Sequence, residues 1–117
     1  MRALLIAALI LCVAPTQARA AEIACVKYGP CPLDLSSFAC TDTPRSSFIR
    51  RVCYDASKLF MTIKLQGTWY PYCNVDEATV QNLLTAESAG RYFNQKIRGH
   101  GSRRGPFDCR DNPSPSY

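Results

Sequence analysis

Apolar and polar residues alternate through residues 48–73, which is the period of β-strands that bury one face. Two breaks divide this stretch into runs at 48–54, 59–65 and 68–73. The second break, Gln66-Gly67, has the length and the glycine of a tight hairpin loop. The pattern predicts a three-stranded antiparallel meander. Pro71 places the third strand at an edge, because proline has no N–H for a second neighbour.

Beyond residue 73 the apolar positions recur every three or four residues, as they do on one side of a helix. Asn74 is expected to cap a first helix, and Ser88 a second helix that ends at Gly99. The predicted fold is therefore α+β, with a three-stranded antiparallel meander followed by two helices packed on one face (β-β-β-α-α).

The turn lengths set the register of the strands. The two-residue loop pairs Leu65 with Thr68, and a four-residue turn before the second strand pairs Tyr54 with Leu59. Because side chains alternate, seven apolar residues share the face that is expected to carry the helices: Val52, Tyr54, Leu59, Met61, Ile63, Tyr70 and Tyr72. Five residues are expected on the opposite face: Ile49, Cys53, Phe60, Trp69 and Cys73.

The N-terminus has the order of charges and apolar residues that is typical of a signal peptide. A positive charge precedes an apolar run of about a dozen residues, which ends at Pro15 and is followed by Ala18-Arg19-Ala20. This run is shorter than the roughly 20 residues of a membrane span. We therefore predict a signal peptide over residues 1–20 and no stable membrane insertion after cleavage. Acylation of Cys12 is an alternative, disfavoured because Leu11 stands where a small residue is expected.

Cleavage of the signal peptide changes the composition. It removes one of the seven cysteines and two arginines, which lowers the net charge from +5 to +3. The even number of remaining cysteines and the absence of a Cys-x-x-Cys pair favour disulfides over a metal site. Because disulfides persist in oxidising compartments, we expect a secreted or periplasmic protein. We expect it to contain no metal and no cofactor. The disulfide-forming cysteines are Cys25, Cys31, Cys40, Cys53, Cys73 and Cys109.

The strand register restricts how these cysteines pair. Cys53 and Cys73 are expected on the same face with one strand between them, about 9–10 Å apart. A disulfide spans at most about 7 Å between Cα atoms, so these two should not bond to each other. Their expected partners, one each and in either order, are Cys40 and Cys109. The remaining pair, Cys25 and Cys31, is then expected to close an N-terminal loop.

Two arms flank the predicted meander and helices. Residues 21–45 show no sustained period and are predicted to be an irregular arm that disulfides hold in place. Residues 100–117 are predicted to be a flexible basic tail, tethered by Cys109. Both arms are expected to lie over the face of the sheet opposite the helices.

Ordered segments within residues 46–99 resemble the KTSC domain, a module named for the C-terminus of some lysyl-tRNA synthetases. The matching segments are Ser46-Ser47-Phe48-Ile49, Val52-Cys53-Tyr54-Asp55, Gly67-Thr68-Trp69-Tyr70-Pro71-Tyr72, Ala86-Glu87-Ser88-Ala89-Gly90-Arg91-Tyr92-Phe93-Asn94 and Ile97-Arg98-Gly99. The resemblance implies a compact β-β-β-α-α unit, and RNA binding is the activity suggested for the family. The chain is similar to the exported, cysteine-containing branch, in which the domain stands alone.

The candidate binding residues combine an aromatic ring with nearby cations. Trp69 is expected to be the more exposed aromatic residue of the sheet, with Lys64 across from it and Arg51 nearby. The alternative is that the two arms cover Trp69. Three basic residues near the tail extend the candidate set: Arg98, Arg103 and Arg104.

No catalytic residue is predicted, because the sequence contains neither a nucleophile elbow nor a Ser/His/Asp set. We therefore expect a monomeric, non-enzymatic module that binds an unknown protein or other macromolecule. The alternative function is binding of RNA or another polyanion through Trp69 and the basic residues.

Overall fold

A computed structural model describes residue 3, residues 8–14 and residues 21–117 of the chain. Most of the predicted signal peptide, including its cleavage site after Ala20, lies outside the described residues. Among the residues that are described, no helix has the length and apolar character needed to cross a membrane.

Strands in two antiparallel sheets and two helices make up the fold. In the two-stranded sheet, β1 (Ile23–Ala24) pairs with β2 (Leu33–Asp34). The second sheet has the order β3-β4-β5-β6, formed by β3 (Ala39–Asp42), β4 (Ile49–Asp55), β5 (Phe60–Leu65) and β6 (Thr68–Tyr72). The helices are α1 (Glu77–Thr85) and α2 (Ala89–Tyr92), and α2 continues into a π-helical turn (Phe93–Ile97).

The predicted three-stranded meander is wrong, because the main sheet has four strands and the chain also forms a separate sheet of two strands. The additional strands all come from the arm that was expected to be irregular. Each of them is only two to four residues long, which is too short for an alternating pattern to appear in the sequence. These strands form because the folded chain brings the residues of the arm next to other strands with which they pair.

The hairpin between β5 and β6 has the predicted register, with Leu65 opposite Thr68. The β4–β5 hairpin differs by two residues, since Tyr54 lies opposite Met61 rather than Leu59. Leu59 belongs to the turn, where it is exposed and has a positive φ of 50°. A shift of two residues preserves the faces of the strands, because side chains alternate with a period of two.

Ile49 does not lie on the face that was predicted for it. The β4–β5 register shifts between Ile49 and Arg51, which adds one residue to β4 at that point. Such a bulge reverses the alternation beyond it. Ile49 is consequently buried in the core beneath the helices.

Each face of the main sheet carries its own apolar core. The helix-side core is formed by α1, the π-helical turn and residues of β4 and β5, with ten buried residues: Ile49, Val52, Tyr54, Met61, Ile63, Val75, Val80, Leu83, Phe93 and Ile97. The arm-side core lies between the sheet and the N-terminal arm, with nine buried residues: Ala24, Val26, Leu33, Leu35, Phe38, Cys53, Phe60, Trp69 and Cys73.

The prediction of three disulfides is confirmed by the bonds Cys25–Cys31, Cys40–Cys53 and Cys73–Cys109. Two of them attach the arms to the main sheet, one at β4 and the other immediately after β6. Three disulfides in a domain of this size are typical of an oxidising environment.

Helix α2 begins as predicted, because the Ser88 hydroxyl accepts a hydrogen bond from the Arg91 N–H at 3.2 Å. The predicted cap of α1 is wrong. Asp76, rather than Asn74, occupies the N-cap position, and Asn74 has a positive φ of 56° before it. Asp76 makes no capping bond to the helix backbone, although the Thr79 hydroxyl donates to its carboxylate.

The segment after the helices forms a tight hairpin. Reciprocal backbone hydrogen bonds of 2.9 Å join His100 and Arg103. At the base of the hairpin, Gly105 packs against the backbone at the end of the π-helical turn. A β-carbon on Gly105 would lie only 2.2 Å from the carbonyl oxygen of Ile97. Only glycine allows the two backbone segments to approach to this distance.

The last residues return to the arm-side core. The Tyr117 ring packs at 5.3 Å from Phe60 and 5.6 Å from Phe38, measured between ring centroids. Its hydroxyl donates to Asp55 at 2.8 Å, and Lys58 donates to the carbonyl of Ser116 at 2.5 Å. Both arms therefore contribute to the cover of the arm-side core.

Replacing Gly105 should test how tightly the hairpin is packed. Gly105→Ala is expected to destabilise the protein by about 1–3 kcal/mol, because the added methyl group overlaps a backbone oxygen that cannot move independently. Urea unfolding followed by far-ultraviolet circular dichroism measures this change. Gly67→Ala is the matched control, since a β-carbon at Gly67 has no atom within 4 Å. Equal stabilities of the two variants would contradict the packing described for the hairpin.

Candidate functional site

Three of the residues predicted for binding lie in one row across the main sheet. The register places Arg51 opposite Lys64, and Lys64 opposite Trp69. Asp42 of β3 lies opposite Arg51 and completes the row at its other end. The sequence therefore predicted correctly that Arg51, Lys64 and Trp69 are neighbours, but it did not predict that Asp42 lies at the end of the row.

Arg51 is held between two carboxylates. Its guanidinium donates to Glu22 of the N-terminal arm at 2.7 and 2.8 Å and to Asp42 at 2.7 Å. These hydrogen bonds, first that to Glu22 and then that to Asp42, raise the pKa of Arg51. With two negative partners already in place, Arg51 contributes no excess positive charge to a ligand at this position.

Trp69 lies beneath the N-terminal arm and is only 8 % exposed. Val26 forms a parallel bridge with it, and the Lys27 N–H donates to the Trp69 carbonyl at 2.9 Å. The Lys64 ammonium lies 5.8 Å from the centre of the indole ring. A base or sugar cannot stack on this ring unless the arm moves away.

The three tail arginines are exposed and lie apart from the row. Arg104 pairs with Asp111 at 2.9 Å, and Arg98 donates to the Asn94 side chain at 3.4 Å. Arg103 hydrogen-bonds to His100 through its backbone, in the tight hairpin. In the described part of the chain, no ion pair or ring contact joins these arginines to Trp69, Arg51 or Lys64.

A groove of about 490 Å³ lies at the β6 edge of the sheet, and we call it the tyrosine groove. Its walls come from the N-terminal loop, from β6 and from the C-terminal segment. Its lining residues are Tyr28, Tyr70, Pro71, Tyr72, Ile97, Gly99, Gly105, Asp108, Cys109 and Arg110.

Tyr28 is the most exposed part of the groove, with 85 % of its surface accessible. It lies in the loop closed by the Cys25–Cys31 disulfide and has a positive φ of 61°. This loop is seated on β6, since a β-carbon on Gly29 would lie 3.4 Å from Pro71. A large aromatic ring is therefore displayed on a short, cross-linked loop, where ordering it costs little further entropy.

Charged groups lie beside these rings. The Lys27 ammonium is 5.3 Å from the centre of the Tyr28 ring and 5.9 Å from that of Tyr70. On the opposite wall Arg110 binds both carboxylate oxygens of Asp108, at 3.0 and 2.7 Å, and these bonds lower the pKa of Asp108 to about 2. The groove thus offers aromatic surface together with one cation that has no carboxylate partner among the described residues.

Tyr72 forms the inner part of the groove. Its ring packs edge-on against Phe93 at 5.9 Å, and burial raises the pKa of its hydroxyl. Tyr70 and Tyr72 are both half-buried, and both were predicted to lie under the helices, but only Tyr72 packs against the helix-side core.

Sequence reasoning missed the groove, because its three walls are far apart in the chain. Tyr28 was not singled out, although an aromatic residue in the middle of a short Cys-to-Cys loop has little core to enter. That spacing was the signal present in the sequence. Among residues 3, 8–14 and 21–117, no group of three or more His, Cys, Asp or Glu side chains is arranged to hold a metal ion.

These observations define a small, disulfide-linked α+β domain that displays an aromatic groove at one edge of its sheet. The sequence profile of the KTSC domain matches residues 45–100. A solved KTSC domain protein from Yersinia pestis is 30% identical to this chain, and the match covers 53% of this chain and 87% of that protein with a TM-score of 0.49. The chain belongs to the KTSC domain family. No curated protein matches it.

The burial of Trp69 leads to a simple fluorescence test. Trp69 is the one tryptophan of the chain, so its emission reports this position alone. We expect blue-shifted emission that acrylamide quenches weakly in the native protein and strongly after unfolding in denaturant, because the arm excludes the quencher. Strong quenching in the native state would show that the arm leaves the indole accessible.

Proposed function

We propose that this protein is an exported, non-enzymatic module that binds a protein or another macromolecule through the tyrosine groove. The observation that carries the proposal is Tyr28, an exposed aromatic ring on a disulfide-closed loop beside two further tyrosines. Tyrosine and arginine are enriched among the residues that dominate binding energy at protein interfaces.

Export is part of the proposal, and the disulfides support it. Cys73 joins Cys109 across 36 positions of the chain, so this bond removes much conformational freedom from the unfolded state. Such bonds persist where the environment is oxidising, as it is in the periplasm and outside the cell. The predicted signal peptide agrees with that location.

A photo-crosslinking experiment tests binding at the groove. The photoreactive residue p-benzoylphenylalanine is placed at position 28, and the oxidised protein is irradiated with an envelope or secreted fraction of the cells that produce it. We expect a discrete adduct that unlabelled wild-type protein suppresses by competition. The Tyr28→Ala, Tyr70→Ala double variant should compete at least about tenfold less well, because it lacks two of the rings that line the groove.

Position 82 provides the matched control for the crosslink. Asn82 is exposed on α1 and does not line the groove, so the same photoreactive residue there should give no competed adduct. Equal suppression of the adduct by wild-type and variant protein, or no competed adduct at position 28, would contradict binding through the tyrosine groove.

Binding of RNA or another polyanion is a second candidate function. The observation in its favour is that Arg98 and Arg103 are exposed and have no carboxylate partner in the described part of the chain. Trp69 is not available to this function, since the arm covers it.

Salt dependence distinguishes this second candidate. If the protein binds a polyanion, its affinity for a labelled polyuridylate or for heparin should fall steeply as sodium chloride rises, because bound counterions are released. The Arg98→Ala, Arg103→Ala variant should bind more weakly, and Trp69→Phe should bind as wild type does. Absence of binding at low salt, or an affinity that salt leaves unchanged, would exclude this function. Fluorescence anisotropy measures both.

A further inference from the structure

The two edges of the main sheet differ in how their backbone groups are satisfied. At the β6 edge, the Trp69 carbonyl accepts a hydrogen bond from Lys27 and the Cys73 N–H donates to Phe107 at 2.8 Å. Pro71 lies between them and has no N–H to offer. This edge is therefore closed to a further strand.

The β3 edge is open. Two observations show which way its backbone points. The Thr43 N–H donates to the Arg50 carbonyl at 3.1 Å, so Thr43 and the residues two and four positions before it face β4. Cys40 and Cys53 lie directly opposite each other with Cα atoms 4.0 Å apart, as in a pair without mutual backbone hydrogen bonds.

The N–H and C=O groups of Cys40 and Asp42 consequently point away from the sheet. None of these four groups has a hydrogen-bond partner among the described residues. Their spacing is that of a strand edge, which another extended chain recognises through alternating donors and acceptors.

A trough runs along this open edge on the helix side of the sheet. It consists of two adjoining grooves of about 880 and 670 Å³, and both are lined by Thr41 of β3 and by Leu84 of α1. Thr41 lies opposite Val52 of the helix-side core, so its side chain is on the same face as the helices. Every second side chain of a strand added to β3 would point into this trough.

The walls of the trough are apolar at its middle and basic at one end. Leu84 is shared by both grooves, with Phe48 in the larger one and Val80 in the smaller. Arg45 and Arg91 line the larger groove, are exposed, and have no carboxylate within 4.0 Å in the described part of the chain. Two acidic residues line it as well: Asp42 is paired with Arg51, and Glu87 is exposed. Because the two arginines outnumber the one unpaired carboxylate, this end has a net positive charge that complements a negatively charged side chain.

We propose that β3 and the trough bind an extended segment of a partner protein, which joins the main sheet as a fifth strand. Its backbone pairs with Cys40 and Asp42, its alternate apolar side chains pack on Leu84, and a carboxylate near one end binds Arg45 and Arg91. This surface is separate from the tyrosine groove, and the inference does not depend on the function proposed for that groove.

Hydrogen exchange tests the edge itself in the oxidised full-length chain. We expect the amides of Cys40 and Asp42 to exchange rapidly and those of Ala39 and Thr41 to exchange slowly, because only the latter two face β4. Slow exchange at Cys40 and Asp42 in dilute monomeric protein would overturn the proposal, since it would mean that the edge is already occupied.

A peptide selection tests the partner. A phage-displayed library of short linear peptides with random sequences is selected on the oxidised wild-type protein. We expect enrichment of peptides with apolar residues at every second position and an acidic residue near one end. Binding of a synthesised winner should slow exchange at the amides of Cys40 and Asp42. Failure to enrich such peptides would contradict the proposal.

Asp42→Pro and Asp42→Ala form a matched pair for this test. Both variants lose the ion pair with Arg51, but only Asp42→Pro also loses the outward N–H. The selected peptide should bind Asp42→Pro at least about tenfold more weakly than Asp42→Ala, as expected when a hydrogen-bonded acceptor is left unpaired. If Asp42→Pro does not fold, the exchange measurement on the wild type decides in its place.

Charge reversal tests the basic end of the trough. Arg91→Glu should weaken binding of the acidic peptide, whereas Lys96→Glu should not, because Lys96 is exposed on the same helical segment but does not line the trough. Equal effects of the two reversals would contradict the predicted carboxylate contact.

Concentration-dependent dimerisation with new protection at Cys40 and Asp42 would assign the edge to a second copy of this chain and overturn the proposed partner.

Discussion

Phe60, Trp69 and Cys73 form an apolar surface on the side of the main sheet that faces away from the helices. Burying this second face is the constraint on which the rest of the structure depends. Two helices cover one side of a four-stranded sheet, and the described residues form no further helix for the other side. The N-terminal arm therefore serves as the second layer, which explains why it is cross-linked and partly paired rather than free.

The disulfides match this requirement. Strands of two to four residues contribute little stability by themselves, so an arm built from them needs attachment. Cys40–Cys53 fixes β3 to β4, and Cys73–Cys109 fixes the C-terminal segment beside the end of β6. The same attachments form the two exposed features of the molecule: the arms assemble the walls of the tyrosine groove, and β3 carries an unpaired edge into solvent.

The burial of the second face also changes how the charged residues are interpreted. Arg51 lies next to the arm and forms an ion pair with Glu22, while Lys64 lies over the indole of Trp69. A sequence pattern that combines an aromatic ring with cations is typical of polyanion recognition, yet here Arg51 joins the arm to the sheet and Trp69 lies beneath the arm. The exposed aromatic surface lies instead at Tyr28, on the loop at the other end of the arm.

Local signals in the sequence determined the β5–β6 register, the capping of α2 at Ser88 and the even set of six cysteines. Each depends on a turn length, a short-range hydrogen bond or a count, which neighbouring residues specify. The tertiary structure decided the pairing of β3, the bulge that turns Ile49 inward and the three-walled groove. These features depend on contacts between segments far apart in the chain. The local pattern of apolar residues carries no information about the free energy of such contacts. Family membership followed from ordered motifs, whereas the open edge of β3 became visible only when both edges of the folded sheet were compared.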